Sequence, residues 1–315
     1  MGSALASELA TGVLEGDVGS TARMITLIER RAPELDVHLQ QLYRARRTAH
    51  VLGVTGPAGS GKSTLVSGLT REYRRQGRTV GILAVDPSSV FSGGAILGDR
   101  IRMGELSGDP GIFIRSMATR GAMGGLARAA LDAVTVLEAS GKDIVIVETV
   151  GVGQAEVDVV GLGHTVAVVS VPGLGDSVQA LKAGLLEIAD VHVVNKSDRE
   201  GAQRTASELK EMLRLSKRQV GQWNVPVQLT SSSRGEGLDE LVEAFQRHRE
   251  WMTQSGELER RLRRTAAARI RWAAADLVER ELGDRNVAFG EAVDLVLTHS
   301  SDPLTEARRL IDARH

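Results

Sequence analysis

The chain has 315 residues, about twice a typical domain, with 39 basic and 40 acidic side chains, a formal charge of −1 and a pI near 6.7. That balance lacks the electrostatic footprint of a general nucleic-acid or membrane-surface binder. The absence of cysteine excludes disulfides, a thiolate nucleophile and a Cys-ligated metal site, and fits a reducing cytoplasm.

The first residues, Met1 to Ser7, show no basic segment followed by a sustained apolar run, and no stretch approaches the ~18 apolar residues of a membrane span. Residues 1–48 read as an N-terminal helical extension. Leu5, Leu9 and Val13, then Met24, Leu27 and Ile28, recur at helical spacing, and Pro33 separates two helices. From 49 to 254 short β-branched runs alternate with helical stretches. The runs are Val51 to Thr55, Thr79 to Val85, Gly111 to Ile114, Ile144 to Val147, Thr165 to Val171, Val191 to Val194 and Val225 to Leu229. Several are apolar throughout, the pattern of strands buried on both faces of a parallel sheet. Helices over Ser63 to Gln76 and Leu126 to Ser140 end at Gly77 and Gly141. The expected fold is therefore α/β, a mostly parallel, doubly wound sheet. Residues 255–315 read as a C-terminal helical arm. Leu258, Leu262, Ala266, Ile270, Leu277 and Val278 form one apolar stripe that needs a partner surface, with arginines largely off it. Ser301-Asp302-Pro303 with Glu306 starts a last helix. The expected use of the arm is homodimerisation through its helices.

Gly56-Pro57-Ala58-Gly59-Ser60-Gly61-Lys62-Ser63 matches GxxxxGK(S/T) and sits between a strand and a helix, as a phosphate-binding loop must. Its glycines let successive backbone N–H groups face a β-phosphate at a helix N-terminus. Lys62 is placed to bridge β- and γ-phosphates, and Ser63 to bind Mg²⁺. Asn195-Lys196-Ser197-Asp198 follows the strand ending at Val194. A carboxylate at Asp198 accepts from guanine N1–H and the exocyclic amine, which adenine does not offer, so the motif selects GTP over ATP. Thr230-Ser231-Ser232-Ser233 follows the next strand and either contacts guanine O6 or is a loop.

Glu148-Thr149-Val150-Gly151 stands where many GTPases carry Asp-x-x-Gly. Glu148 then joins the metal shell and Gly151 senses the γ-phosphate, or Glu148 is a helix cap. Asp86, after the second strand, and Asp99, in Gly98-Asp99-Arg100-Ile101-Arg102-Met103, either act near Mg²⁺ and the attacking water or make Asx-turns. Val152 occupies the place of the glutamine that orients water in small GTPases, which predicts slow intrinsic hydrolysis stimulated by a partner. Arg100, Arg102 and Arg120 are candidate charge stabilisers. The seven histidines are scattered without ligand spacing, which argues against a metal-delivery protein.

Together GPAGSGKS, VDPSS, GDRIRM, ETVGVGQAEVDV, PGLGDSVQALKAG and LEIADVHVVNKSD, with the C-terminal helices, resemble the methylmalonyl-CoA mutase-associated GTPase chaperones of the MeaB/ArgK family. The resemblance runs over nearly the whole chain. It implies a P-loop GTPase of the signal-recognition/MinD class, homodimeric, that uses Mg²⁺ and no bound organic cofactor. Its partner would be the adenosylcobalamin-dependent mutase, whose cofactor loading it gates and which it protects or reactivates. The family's nucleotide loop falls on Gly56 to Thr64, its Mg²⁺ and switch carboxylates on Asp86, Asp99 and Glu148, and its guanine reader on Asp198. Its mutase-contacting switch falls on Gln154, Ala155, Glu156, Val157 and Asp158, here without a lysine. An older family label implies instead an ATPase or kinase of lysine/arginine/ornithine transport, which needs the ATP preference that Asp198 opposes.

Overall fold

Seven aliphatic runs form one sheet in the computed structural model, which describes residues 2–32, 35–85, 106, 108–117, 125–149, 163–173, 186–215, 221–282 and 287–312. Ahead of the sheet come α1 (Gly2–Leu14), α2 (Val18–Arg30) and α3 (Leu35–Ala45). Pro33 lies outside the described residues, between the end of α2 and the start of α3, and the chain has a second, earlier break. Gly16 takes φ +82°, and the Asp17 carboxylate caps α2 by accepting from Ser20 N at 2.6 Å.

The strands are β1 (His50–Thr55), β2 (Val80–Val85), β3 (Ile112–Met117), β4 (Ile144–Thr149), β5 (Thr165–Ser170), β6 (Val191–Val194) and β7 (Val227–Leu229). They lie in the order β3-β2-β4-β1-β5-β6-β7, and every neighbouring pair is parallel. β7 starts two residues later than the run at Val225 suggests. Pro226 has no N–H to give a ladder, although its carbonyl accepts from His192 N at 2.9 Å.

Parallel strands need crossovers, and these supply helices to both faces. On one face α4 (Lys62–Arg75) is joined by a helix far along the chain. After α5 (Gly125–Ala139), a single turn at Leu186–Ile188 and α6 (Ala202–Leu215) comes α7 (Leu238–Ser255). Leu65 and Leu69 of α4 meet Leu241 and Phe245 of α7 over Leu52, Val54, Ile82, Ile146 and Val169. On the other face α5 packs on β2 and β4. It comes so close that a Cβ at Gly81 would stand 2.8 Å from Leu137 Cδ1. Ala206 and Leu209 of α6 pack near Val166 and Val168. α1, α2 and α3 pack on α5.

The chain divides into two compact units, residues 1–261 and 262–315. All seven strands belong to the first. α8 (Glu257–Glu281) runs across the division, followed by α9 (Val287–Leu297) and α10 (Pro303–Asp312). α10 is capped by Asp302, whose carboxylate accepts from Leu304 N, Thr305 N and Thr305 Oγ1. Within the second unit the apolar stripe of α8 is open to solvent, with Ile270 70% and Leu277 54% exposed. Among the described residues no helix is long and apolar enough to cross a membrane.

The N-terminal edge of the sheet is unusually polar inside. The Thr165 hydroxyl lies 2.8 Å from both His50 Nε2 and His248 Nδ1. Asp190, before β6, accepts from Val166 N and, through both carboxylate oxygens, from the Arg261 guanidinium at 2.7 and 2.8 Å. His164 Nδ1 accepts from Val51 N at 3.2 Å. Burial, then the nearby Arg249 charge, brings the His164 pKa down to about 4, and burial pushes His50 well below its ordinary value. A base whose folded pKa is lowered leaves the unfolded chain to take the proton first. The stability is therefore complete above the unfolded value near 6.5 and is lost as pH falls towards 4. His164 alone accounts for about 2 kcal/mol of loss at pH 5. Thermal melts should show Tm falling from about pH 6.5 downwards, with a shallower slope in His164→Gln; a slope unchanged by that substitution would contradict this account.

Candidate functional site

β1 ends at Thr55, and the chain turns through residues 56–61 into α4. Two of these positions admit only glycine. Gly56 has φ +150° and a Cβ there would lie 2.2 Å from Val169 O, while Gly61 has φ +86° and its Cβ would lie 2.6 Å from Asn195 Nδ2. The turn delivers Lys62 and Ser63 as the first residues of α4, where backbone N–H groups have no helical acceptor. Lys62 is buried, and its ammonium donates to Gly56 O at 2.7 Å and Pro57 O at 3.1 Å, so the loop closes around its own cation. Pro57, Ala58 and Gly59 form the open crest, Ser60 is buried, and Thr64 is exposed on α4.

The neighbouring strand contributes the carboxylate. β4 lies beside β1 with Glu148 opposite Val54, and the Thr149 hydroxyl donates to Thr55 Oγ1 at 3.0 Å, pinning the two strand ends together. Ser63 Oγ then donates to Glu148 Oε1 at 2.6 Å. A hydroxyl and a carboxylate brought together are two hard oxygen donors of the kind Mg²⁺ takes from a protein while it keeps waters and substrate phosphate oxygens.

Asn195 joins three segments. Its amide nitrogen donates to Ser60 O at 2.9 Å, and its oxygen accepts from Thr230 Oγ1 at 3.2 Å, Ser232 N at 3.2 Å and Ser232 Oγ at 2.7 Å. Lys196, held at φ +57°, a conformation that costs a side-chain-bearing residue roughly 1–2 kcal/mol, sends its ammonium to Gly59 O at 2.7 Å. Asp198 Oδ1 accepts from Ser231 Oγ at 2.6 Å. That hydrogen bond holds the Asp198 carboxyl below its usual range, with a smaller contribution from Arg234. The arrangement thus brings Gly56 to Thr64, Glu148, Asn195, Lys196, Asp198, Ser231 and Ser232 to the C-terminal ends of β1, β4, β6 and β7. There an open parallel sheet offers a ligand crevice. Ser233 is exposed in the adjoining turn. Asp86, Asp99, Gly151 and the segment Gln154, Ala155, Glu156, Val157 and Asp158 lie outside the described residues, as do Arg100, Arg102 and Arg120.

Two contributors lie outside the motifs, Arg234 and the return that Glu236 and Gly237 make onto Ser231. Arg234 Nη2 stands 3.8 Å from Asp198 Oδ2, and no pattern marks it. Ser231 pairs with Glu236 across a tight return, its N donating to Glu236 O at 3.0 Å. Gly237 permits this return at φ +73°, where a Cβ would meet Leu229 O at 2.2 Å. The Gly235-Glu236-Gly237 spacing is the signal for that return.

Comparison with known proteins places this geometry in a family. The family described as methylmalonyl Co-A mutase-associated GTPase MeaB matches residues 21–287. A protein of Pyrococcus horikoshii, provisionally named a GTPase, is 44% identical over 308 residues and covers 97% of either chain. The Mus musculus protein named methylmalonic aciduria type A homolog, mitochondrial, is 36% identical over 267 residues, 79% of this chain and 64% of that one. The crystal structure of a LAO/AO transport system kinase superposes with a TM-score of 0.73 at 25% identity, covering 98% of this chain and 97% of that one. A phosphate loop facing a strand-end carboxylate and an Asn-Lys-x-Asp corner, together with these likenesses, identifies the chain as a GTPase that belongs to the MeaB family.

Proposed function

We propose that this GTPase is a chaperone of methylmalonyl-CoA mutase or a related adenosylcobalamin-dependent mutase, gating cofactor loading and protecting or reactivating the enzyme. The family match over residues 21–287 carries the reading, and the name of the mouse relative supports it. The name transport system kinase is that of a structural relative. It would require ATP, which an ionised Asp198 disfavours.

In the proposed cycle the residue 56–63 backbone and Lys62 cradle the β- and γ-phosphates, and Asp198, with Ser231 orienting it, accepts from guanine N1–H and the amine. Ser63 and Glu148 would hold Mg²⁺, with Asp86 and Asp99 as further carboxylates of the metal and switch region. Bound there, the ion would offset charge on the phosphate oxygens. Gly151 would read the γ-phosphate, and residues 154–158 would carry that reading to the mutase. With Val152 where a water-orienting glutamine stands in small GTPases, hydrolysis is slow until the mutase orders the loops. The exposed stripe Leu262, Ile270 and Leu277 supports the reading of the C-terminal helices as a homodimer face.

One experiment addresses client and assembly together: light scattering on a sizing column, for the chain alone and mixed with the mutase, with phosphate release measured in each peak. The expected result is a dimer mass alone, a heavier complex with mutase and GTP turnover at least tenfold faster in it. A monomer mass removes the dimer. Absence of a complex with unchanged turnover removes the client.

A further inference from the structure

The strands have a second open end. Where β1 and β4 begin, six residues or about 20 Å along the strands from the phosphate loop, lies a cavity of about 520 Å³, within the range of small-molecule sites. Four cations line it: Arg47 after α3, Arg78 before β2, Lys142 between α5 and β4, and Arg249 on α7. Two carboxylates, Asp143 and Glu250, stand against them.

Asp143 is largely committed. One of its oxygens accepts from Thr79 N at 2.8 Å and Thr79 Oγ1 at 2.9 Å, and the other lies 3.9 Å from Arg78 Nη1. Among the described residues no carboxylate stands within ion-pair distance of Arg47, Lys142 or Arg249. Four cations facing two carboxylates leave two positive charges unmatched around one cavity. The lining also includes a polar group shielded from water. Tyr73 of α4 lines the cavity at 2% exposure, and its hydroxyl has no hydrogen-bond partner. Burial pushes the phenol pKa up, so the group stays protonated and is an unused donor.

We propose that this cavity is a binding site for a small phosphate ester, separate from the nucleotide site. A phosphate monoester carries about −1.5 to −2 charge near neutral pH and three acceptor oxygens. This matches the two surplus charges, the bidentate geometry of the guanidinium groups and the spare Tyr73 hydroxyl. The volume leaves room for the organic part of the ester beside Gln76 and Gln246.

The phosphate loop would also bind phosphate, so the test is made on the full chain saturated with GDP and Mg²⁺. Equilibrium dialysis with labelled inorganic phosphate should then give one further equivalent bound per chain. Affinity should fall at least tenfold in the double variant Arg249→Gln, Lys142→Gln, both substitutions at partly buried sites. Tyr73→Phe should weaken binding several-fold while leaving the Tm of the phosphate-free protein unchanged or higher, because the lost hydroxyl had no partner there. No phosphate bound beyond the nucleotide, binding that survives the double variant, or a lowered Tm in Tyr73→Phe would each overturn the proposal. Displacement of phosphate by citrate at lower concentration would overturn the ester assignment in favour of a polycarboxylate.

Discussion

Lys62→Ala should reduce GTP hydrolysis by about a hundred- to a thousandfold, the usual loss when one preorganised electrostatic donor is removed at a site of developing charge. In the structure the Lys62 ammonium is buried and donates to Gly56 O and Pro57 O. Those two carbonyls are weaker partners than a triphosphate, so the cation sits beside its working position, and little rearrangement is needed when phosphate arrives. Lys62→Arg should fail almost as badly, since a planar fork does not replace a point charge inside a closed loop. Single-turnover phosphate release, with circular dichroism to show the variant is folded, makes the measurement. Wild-type turnover in folded Lys62→Ala would place the cation away from the transferring group.

Asp198→Asn should collapse guanine preference. The Ser231 hydroxyl holds the Asp198 carboxyl below its usual range, and a carboxylate ionised at neutral pH is an acceptor only. It suits the two adjacent donors of guanine. Asparagine keeps one acceptor and turns a donor toward the exocyclic amine. Hydrogen bonds to charged groups contribute about 1.5–3 kcal/mol each, so the GTP-to-ATP affinity ratio should fall on the order of a thousandfold. Xanthosine triphosphate, which has a carbonyl where guanine has the amine, should bind the variant better than the parent. Competition binding with the three nucleotides reads all of this at once, and an unchanged GTP-to-ATP ratio would reject Asp198 as the base reader. Ser231→Ala should show a milder version of the same loss through a less oriented carboxylate.

The strands were legible in the sequence because parallel strands covered on both faces are apolar at nearly every position. His50 to Thr55 and Ile144 to Thr149 are buried throughout, so runs of valine and isoleucine mark them without alternation. The phosphate loop was legible for the opposite reason, since glycines at 56, 59 and 61 take positive φ in one short turn, a local demand that a spacing motif records. What stayed hidden depends on distant partners. Nothing around Asn195 announces that it ties Ser60 to Ser232, because those contacts span 135 and 37 residues. The Gly16-Asp17 break was missed because one glycine within a helical period does not by itself end a helix, whereas the Asp17 cap does. The basic cavity was invisible because Arg47, Tyr73, Lys142 and Arg249 come from separate elements and share no periodicity.

Asn195 also determines when the site comes into being. Its bond to Ser60 and the Lys196 bond to Gly59 join residues 135 and 137 positions apart, across strands β1, β5 and β6 that must already lie side by side. A chain in which β6 has frayed has no complete corner to offer, so nucleotide affinity becomes a gauge of sheet closure. Ligand at a hundred times its dissociation constant adds about 2.7 kcal/mol to a folded state that alone can bind it. In this fold that gain belongs to the whole first unit and not to a loop. Amides on the sheet strands far from the nucleotide should therefore slow their hydrogen exchange by the same factor as those beside it.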